Sequence, residues 1–517
     1  MKFVLPSIHS DKTNIEAIKL ALSTLTFMSI LKVFLILVSV SLAALFVALT
    51  ILIYPALSVV VIGPIFLAAF WLFPQTSGTP PTGTIKGLFF VWLVLSILWP
   101  AYVVLEIPGV FDIWPVRLIM MVLVLYGVFY LIKSTQLKSY LLTIYHQHSL
   151  PFNLLFLYLA FLCLGTFSKG LLDGAPYMFF RQVSEVFIPL FIFMVLADSK
   201  EKLLVVLDVL IFVAGIVVVL ALIESIFEAG IYISILPSSM ISQQDWVQLA
   251  ISEKVRGEYR VQSVFEHPLT LGQFLVLFFS LFIYKFVTGK TKLTRYTSLL
   301  LVPILLYILY KTGSRSVYVG VFVQVLFFGI MAMYFIIKEK KATFIGWVFT
   351  VLSPIFFLLV MVVAFFLRDL IFGRTNSEAS STQARIDMFM QTFTIFGNDP
   401  VAILTGYGAG AAATVLGFRS PVGILTIDSY VLNVLLDSGI IGLTCFVLFF
   451  VVIFFIGLRL LAKSKSDKWI VMALMSGIIG YLSVALILSV AVNLKLVFLF
   501  AFSLILLSSF MKNTNKI

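Results

Sequence analysis

The stretch LLVVLDVLIFVAGIVVVLALI, residues 203–223, carries a single charge, Asp208, in 21 positions. A helix of ~20 apolar residues crosses the hydrocarbon core of a bilayer. This run offers no polar face to water, so it reads as a membrane span. Stretches of the same kind centre near Leu42, Ile65, Trp92, Val124, Leu157, Phe191, Ala214, Phe278, Leu305, Phe327, Phe357, Phe449, Ile478 and Ala501. That makes about fourteen helices (~12–14, since the first and last pairs are crowded). The run from Val33 to Ile53 is too long for a signal-peptide core and reads as a retained helix. Composition agrees: 62% of residues are hydrophobic, 11% are charged, and mean hydropathy is +1.15. No water-soluble domain covers itself with so little polar surface. The expected fold is an all-α, polytopic integral membrane protein, one transmembrane domain over residues 1–517.

Charge sets the orientation. Cytoplasmic loops gather Lys and Arg. With the N-terminus inside and the spans alternating, the inside segments carry 22 of the 35 basic residues, nearly all Lys. The chain is therefore expected to be N-in and C-in. The net charge of +12 comes mainly from these lysines, so it reports topology and not nucleic-acid binding. The outside holds only four lysines but nine of the eleven arginines: Arg117, Arg181, Arg256, Arg260, Arg315, Arg368, Arg374, Arg385 and Arg419. A guanidinium fork grips phosphate or carboxylate bidentately, whereas an ammonium is a hydrated point charge. Arginines placed against the topological bias point to an anion bound outside. The plainer reading pairs each with an external acid such as Glu253, Glu258, Glu378 or Asp387. The two cysteines, Cys163 and Cys445, lie in apolar helices and form neither a disulfide framework nor a metal cluster.

Most connections are short. Two external ones are long, at about residues 225–267 and 368–429, and long loops in a compact protein are usually functional. The first ends in Gly257-Glu258-Tyr259-Arg260-Val261-Gln262-Ser263-Val264-Phe265-Glu266-His267-Pro268. Pro268 suits a first helical turn, so Arg260, Glu266 and His267 stand at the mouth of the next span. His267 reads equally as a cap. A very short external turn, Lys311-Thr312-Gly313-Ser314-Arg315-Ser316, sets Arg315 at a helix N-terminus, where free N–H groups favour anions. A snorkelling anchor is the simpler role. In the second loop the spacing of Ile386, Phe389, Met390, Phe393 and Phe396 predicts a helix over 384–396 with Arg385 near its start. There follow a flexible glycine turn, Gly406-Tyr407-Gly408-Ala409-Gly410, and the re-entry Asp428-Ser429-Tyr430-Val431-Leu432. Asp428 serves there as N-cap or as base.

The order and spacing of Arg260 to Gly272, Thr312 to Gly320, Arg385 to Gly410 and Asp428 to Gly442 resemble the shared region of the O-antigen ligase and O-antigen polymerase (Wzy-like) membrane proteins. The resemblance covers about residues 255–460. It implies a C-type (GT-C-like) glycosyltransferase that uses undecaprenyl-diphosphate-linked sugars at the outer face of a bacterial plasma (inner) membrane, its active site facing the periplasm. It assigns the diphosphate to Arg260, Arg315 and Arg385. The implied partners are the lipid-linked oligosaccharide, membrane lipid, a chain-length regulator and a flippase. The ligases carry a His just before the re-entering helix, where this chain has Asp428. That departure favours a polysaccharide polymerase for O-antigen, capsule or exopolysaccharide, with Asp428, Glu266 or His267 as catalytic base. A diphosphate leaving group already activates the donor, so neither cofactor nor metal is expected. A ligase acting on lipid A core is the alternative within the class. A transporter or flippase is the alternative outside it, although Asp208 lies near the inside end of its helix and no repeat is evident.

Overall fold

The computed structural model describes residues 82–514 apart from 101, 105–113, 169–174, 237–258, most of 341–375, 420–424, 426, 465 and 489–491. Two compact units are distinguished, Met1–Gly78 with Phe129–Thr135 and Thr79–Val128 with Gln136–Ile517. The second carries the functional-site residues described below. Every named element is a helix, and an isolated β-bridge joins Arg419 and Leu425.

The helices, in chain order, are α1 (Thr82–Leu98), α2 (Pro115–Lys133), α3 (Thr135–Gln147), α4 (Ser149–Ser168), α5 (Ala175–Gln182), α6 (Ile188–Leu196), α7 (Lys200–Phe227), α8 (Ile231–Ile235), α9 (Pro268–Thr288), α10 (Lys292–Lys311), α11 (Arg315–Lys340), α12 (Asn376–Asn398), α13 (Pro400–Thr405), α14 (Ala412–Leu416), α15 (Tyr430–Lys463), α16 (Lys468–Ala485) and α17 (Leu494–Thr514). A π-helical turn, Val183–Phe187, joins α5 to α6. Ten helices among the described residues are long and apolar enough to cross a membrane, with α5, the π-turn and α6 making one span. The chain is thus an all-α, multi-pass membrane protein. Each of the ten coincides with an expected centre, from Val124 to Ala501. The centre near Trp92 falls in α1, whose apolar part, Ile85–Leu98, is shorter than a full span. The centres near Leu42, Ile65 and Phe357 lie outside the described residues.

Local signals explain the helix ends. Ser199 caps α7, its hydroxyl accepting from the Lys202 N–H at 3.3 Å. Thr291 caps α10 by accepting from the Thr294 N–H at 3.1 Å. His267 caps α9, with Pro268 at the first position. These side chains satisfy N–H groups that no helical carbonyl reaches. The core lies along α9, α16 and α17, with 72%, 72% and 78% of their spanning residues buried. Several polar groups inside it are paired across helices. Gln324 Nε2 donates to Ser280 Oγ at 2.8 Å, Ser280 Oγ donates to the Ala473 carbonyl at 2.8 Å, and Ser476 Oγ donates to the Gln324 carbonyl at 3.0 Å. Such bonds hold membrane helices together where apolar burial gives little preference between protein and lipid.

At one end of the helices, lysines meet acids. Lys200 pairs with Asp467 at 2.5 Å and Lys202 with Asp198 at 2.6 Å, while Lys285 pairs with Asp208 and Lys468 with Glu339. All these lysines come from segments read as inside. Arg117, Arg181, Arg260 and Arg315 lie at the opposite helix ends, while Arg295 and Arg459 stay with the lysines.

Two details correct the sequence reading. The glycine turn at 406–410 is not flexible. Tyr407 N–H donates to the Leu436 carbonyl at 2.7 Å, Gly408 N–H to the Asp437 carbonyl at 2.9 Å, and Ala409 N–H to Thr166 Oγ1 at 3.0 Å. The buried Asp437 carboxylate accepts from the Gly410 and Ala412 N–H groups, both at 3.0 Å. Gly406 and Gly439, at φ 73° and 68°, let backbone lie directly on backbone; a Cβ on either would overlap a main-chain carbonyl across the contact. Glycine here gives close approach, not mobility. The second detail is the helix expected at 384–396, which runs from Asn376 to Asn398.

Candidate functional site

The site begins with a carboxylate that the sequence reading passed over. Glu224, one turn from the end of α7, is fully buried. It accepts from Tyr259 Oη at 2.8 Å, from the Gln262 N–H at 3.0 Å and from the Ser263 N–H at 2.7 Å. Ser263 sits at φ 54°, a left-handed geometry that costs a non-glycine residue about 1–2 kcal/mol. The two N–H bonds to Glu224 hold it there. Burial, then the Glu224 charge, pushes the Tyr259 phenol well above its usual range, so it stays a neutral donor. One acid thereby fixes the loop that carries Arg260.

Arg260 reaches across to the α10–α11 turn. Its Nε donates to the Thr312 carbonyl at 2.8 Å, and the Val261 N–H donates to the Lys311 carbonyl at 3.2 Å. Gly313 stands directly under the guanidinium at φ 62°; a Cβ there would lie 3.3 Å from Arg260 Nε. Gly313 thus serves both the turn and the close approach. Arg315 follows two residues later at the first turn of α11. Arginines 55 positions apart in sequence are therefore brought to one turn.

Beside them lies a second charged group. Arg117 donates through Nη2 to Tyr177 Oη at 2.7 Å and lies over Trp114, 4.9 Å from its ring centre. Glu185 is shared: Arg181 Nε donates to it at 3.3 Å and Arg117 Nε lies 3.8 Å away. Glu185 rides on the π-turn, a helical irregularity frequent at functional sites. Lys495 donates to the Ser96 carbonyl at 3.2 Å and lies in the field of both Glu185 and Arg181.

Glu266 and His267 join the two groups. Burial raises the Glu266 carboxyl above the usual range, with Arg181 opposing the rise. Burial, with Arg260 nearby, lowers His267 to about 4. His267 Nδ1 accepts from the Leu269 N–H at 3.1 Å. A neutral ring that accepts through Nδ1 carries its proton on Nε2 and is a donor there, not a base. Among the described residues, Arg117, Arg181, Arg260, Arg315 and Lys495 gather here with Glu185, Glu224 and Glu266, a basic balance suited to an anionic ligand.

Arg385 and Asp428 form a separate pair, with Nε 3.6 Å from Oδ2, a charge contact longer than a hydrogen bond. The pair ties α12 to the re-entry into α15. Ser429 Oγ donates to the Leu486 carbonyl at 3.0 Å, just past the end of α16, and Gly320 of α11 packs on Val484 of α16. Asp428 and Arg315 thus both flank that end of α16. Among the candidates, Arg260, Arg315, Glu266 and His267 are brought together, and Arg385 with Asp428 forms a neighbouring pair. Arg117 and Arg181 were foreseen only as two of the nine outside arginines, and Glu185, Glu224 and Lys495 were not foreseen as site residues. An acid inside an apolar span was the one available signal for Glu224.

The fold and this mouth define a polytopic membrane protein with a cluster of basic side chains at one set of helix ends. Residues 299–447 match the family model described as O-Antigen ligase, which agrees with the motif resemblance to the ligase/polymerase family. The matched segment contains Arg315, Arg385, Asp428 and Asp437; Arg260, Glu266 and Arg181 lie before it. It supports an O-antigen ligase- or polymerase-like, glycosyltransferase type of function. A search of curated proteins gives no match.

Proposed function

We propose that the protein is a polysaccharide polymerase that acts on undecaprenyl-diphosphate-linked glycans at the outer face of the bacterial plasma membrane. The single observation that carries this reading is Arg260 lying across the turn that holds Arg315. Two guanidiniums from separate membrane loops, pre-set by Glu224 and Gly313, suit a diphosphate with two charged phosphoryl groups. Arg181 and Arg117 add positive field, and Arg385 guards the acceptor side through Asp428.

The chemistry follows. The hydroxyl oxygen of the lipid-linked acceptor unit attacks the anomeric carbon of the donor. The bond from that carbon to the diphosphate oxygen breaks, and the diphosphate leaves with the electron pair. The hydroxyl proton passes to Glu266. Its raised carboxyl range suits a base at neutral pH, whereas His267 Nδ1 is engaged and Asp428 is paired with Arg385. Preformed cations at a departing anion are worth ~10²–10³ in rate per key group, on the scale of oxyanion-hole donors. The polyprenyl chain has an apolar seat: a groove of about 480 Å³ between α15 and α16, lined by Tyr430, Phe446, Phe450, Phe454, Ile478 and Leu482. Its lining begins at Tyr430, two residues after Asp428.

A ligase that moves finished glycan to another acceptor is the second reading, favoured by the family description. Asp428 in place of the ligase His favours polymerase. The test is a deletion strain with a purified-protein assay. Single-repeat products in cells, with extension of lipid-linked units in detergent, are the expected result. Long chains stranded on the carrier would instead identify a ligase, and no transfer in detergent would overturn both.

A further inference from the structure

At the lysine-rich end a cavity of about 300 Å³ opens between the start of α4 and the far ends of α15 and α17. His148, Arg459, Lys463 and Lys512 line it together with the first turn of α4, and no acid is among the lining residues. Arg459 and Lys463, four positions apart, share one face of α15. Lys512 lies in the field of both and donates through Nζ to the Gln147 carbonyl at 3.0 Å. Three cations gathered with no carboxylate among the described lining residues repel one another unless an anion joins them. His148 is only 7% exposed, yet its Nε2 has no hydrogen-bond partner among the described residues. A buried polar nitrogen calls for one. Burial, with Lys512 beside it, lowers His148 to about 4, so the ring is neutral and offers an N–H without added charge.

We infer that this cavity is a binding site for a phosphate group, held by Arg459, Lys463, Lys512 and the His148 ring N–H. It is separate from the arginine mouth and from any reaction there. Its lysine-rich surroundings belong in the cytosol by the charge bias of membrane proteins. Leu150, Pro151, Val452 and Ile456 supply an apolar part of its wall, so an acyl chain can continue from the headgroup. Basic pockets between membrane helices on that side take acidic headgroups. A phosphodiester lipid and free phosphate share the chemistry, and the assay separates them.

The full chain in neutral detergent is titrated with phosphatidylglycerol, phosphatidylcholine or inorganic phosphate and followed by native mass spectrometry. Phosphatidylglycerol is expected to bind in preference to phosphatidylcholine. Arg459→Gln with Lys463→Gln weakens it about 30-fold, each basic residue contributing about fivefold. The control pair Lys290→Gln and Lys292→Gln, exposed and outside the lining, leaves it unchanged. If the first pair does not fold, Lys512→Gln at an exposed helix end gives the same direction. Displacement of lipid by millimolar phosphate keeps the site and assigns it to the soluble anion. Equal binding of both lipids, or tight phosphatidylglycerol binding by the Arg459/Lys463 variant, overturns the inference.

Discussion

Replacing Glu224 with Ala tests how the mouth is built. Glu224 is wholly buried and accepts three bonds, two from backbone N–H groups. Tyr259 can turn its hydroxyl elsewhere, but the N–H groups of Gln262 and Ser263 cannot move without moving the loop. Each buried donor left unpaired costs about 1–3 kcal/mol. Ser263 also gives up the support for its left-handed geometry, about 1–2 kcal/mol. The loop therefore releases, and Arg260 leaves the Thr312 carbonyl, in preference to bearing the whole cost. The expected outcome is a folded protein with transfer slowed ~10²–10³, as for loss of one anion-stabilising group. The assay is extension of lipid-linked repeats by purified protein, run as a double-mutant cycle with Arg260→Ala. Residues acting through one another are non-additive, so the double variant should be no slower than Arg260→Ala alone. Full activity of Glu224→Ala, or additive losses, would refute the reasoning.

Further outcomes follow from the same geometry. Glu266 works as a base only when ionised, and burial raises its range; transfer should rise with pH through that raised value, and Glu266→Gln should abolish the acid limb while lowering kcat ~10²–10⁴. Gly313→Ala should impair transfer through strain at φ 62° and contact with Arg260, seen as shorter polymer at normal expression. Asp437→Ala strands the Gly410 and Ala412 N–H groups and should lower thermal stability by about 2–5 kcal/mol with no change in diphosphate affinity of the surviving fraction. A normal melting profile for that variant would remove the structural role assigned to Asp437.

The membrane helices were legible because ~20 apolar residues admit no other solution. The segregation of arginine from lysine was legible because it is a matter of composition along a known alternation. The helix α3 was not: only Leu137 and Ile144 of its residues are buried, too weak a pattern to separate from a polar turn. The sharing of Glu185 by Arg117 and Arg181 was also hidden, since it depends on a π-turn and on helices distant in sequence. The 406–410 glycines misled in a particular way, and Asp437, which accepts from the N–H groups of this turn, was not singled out. In sequence, Gly implies freedom; here positive φ and missing Cβ atoms permit backbone-on-backbone packing, and the acid serves main-chain donors. Arg260 and Arg315 were recognisable singly, but their convergence needed Glu224, whose place at the edge of an apolar span disguised it as an ordinary helix end.

The central claim is that Arg260 and Arg315 together receive a diphosphate. Its most direct measurement is the affinity of the purified chain for undecaprenyl diphosphate, compared with an Arg260→Gln, Arg315→Gln variant. Charge-assisted bonds contribute about 1.5–3 kcal/mol each, so the variant should bind at least ~100-fold more weakly while keeping its melting temperature. Equal affinity in the two proteins would contradict the claim.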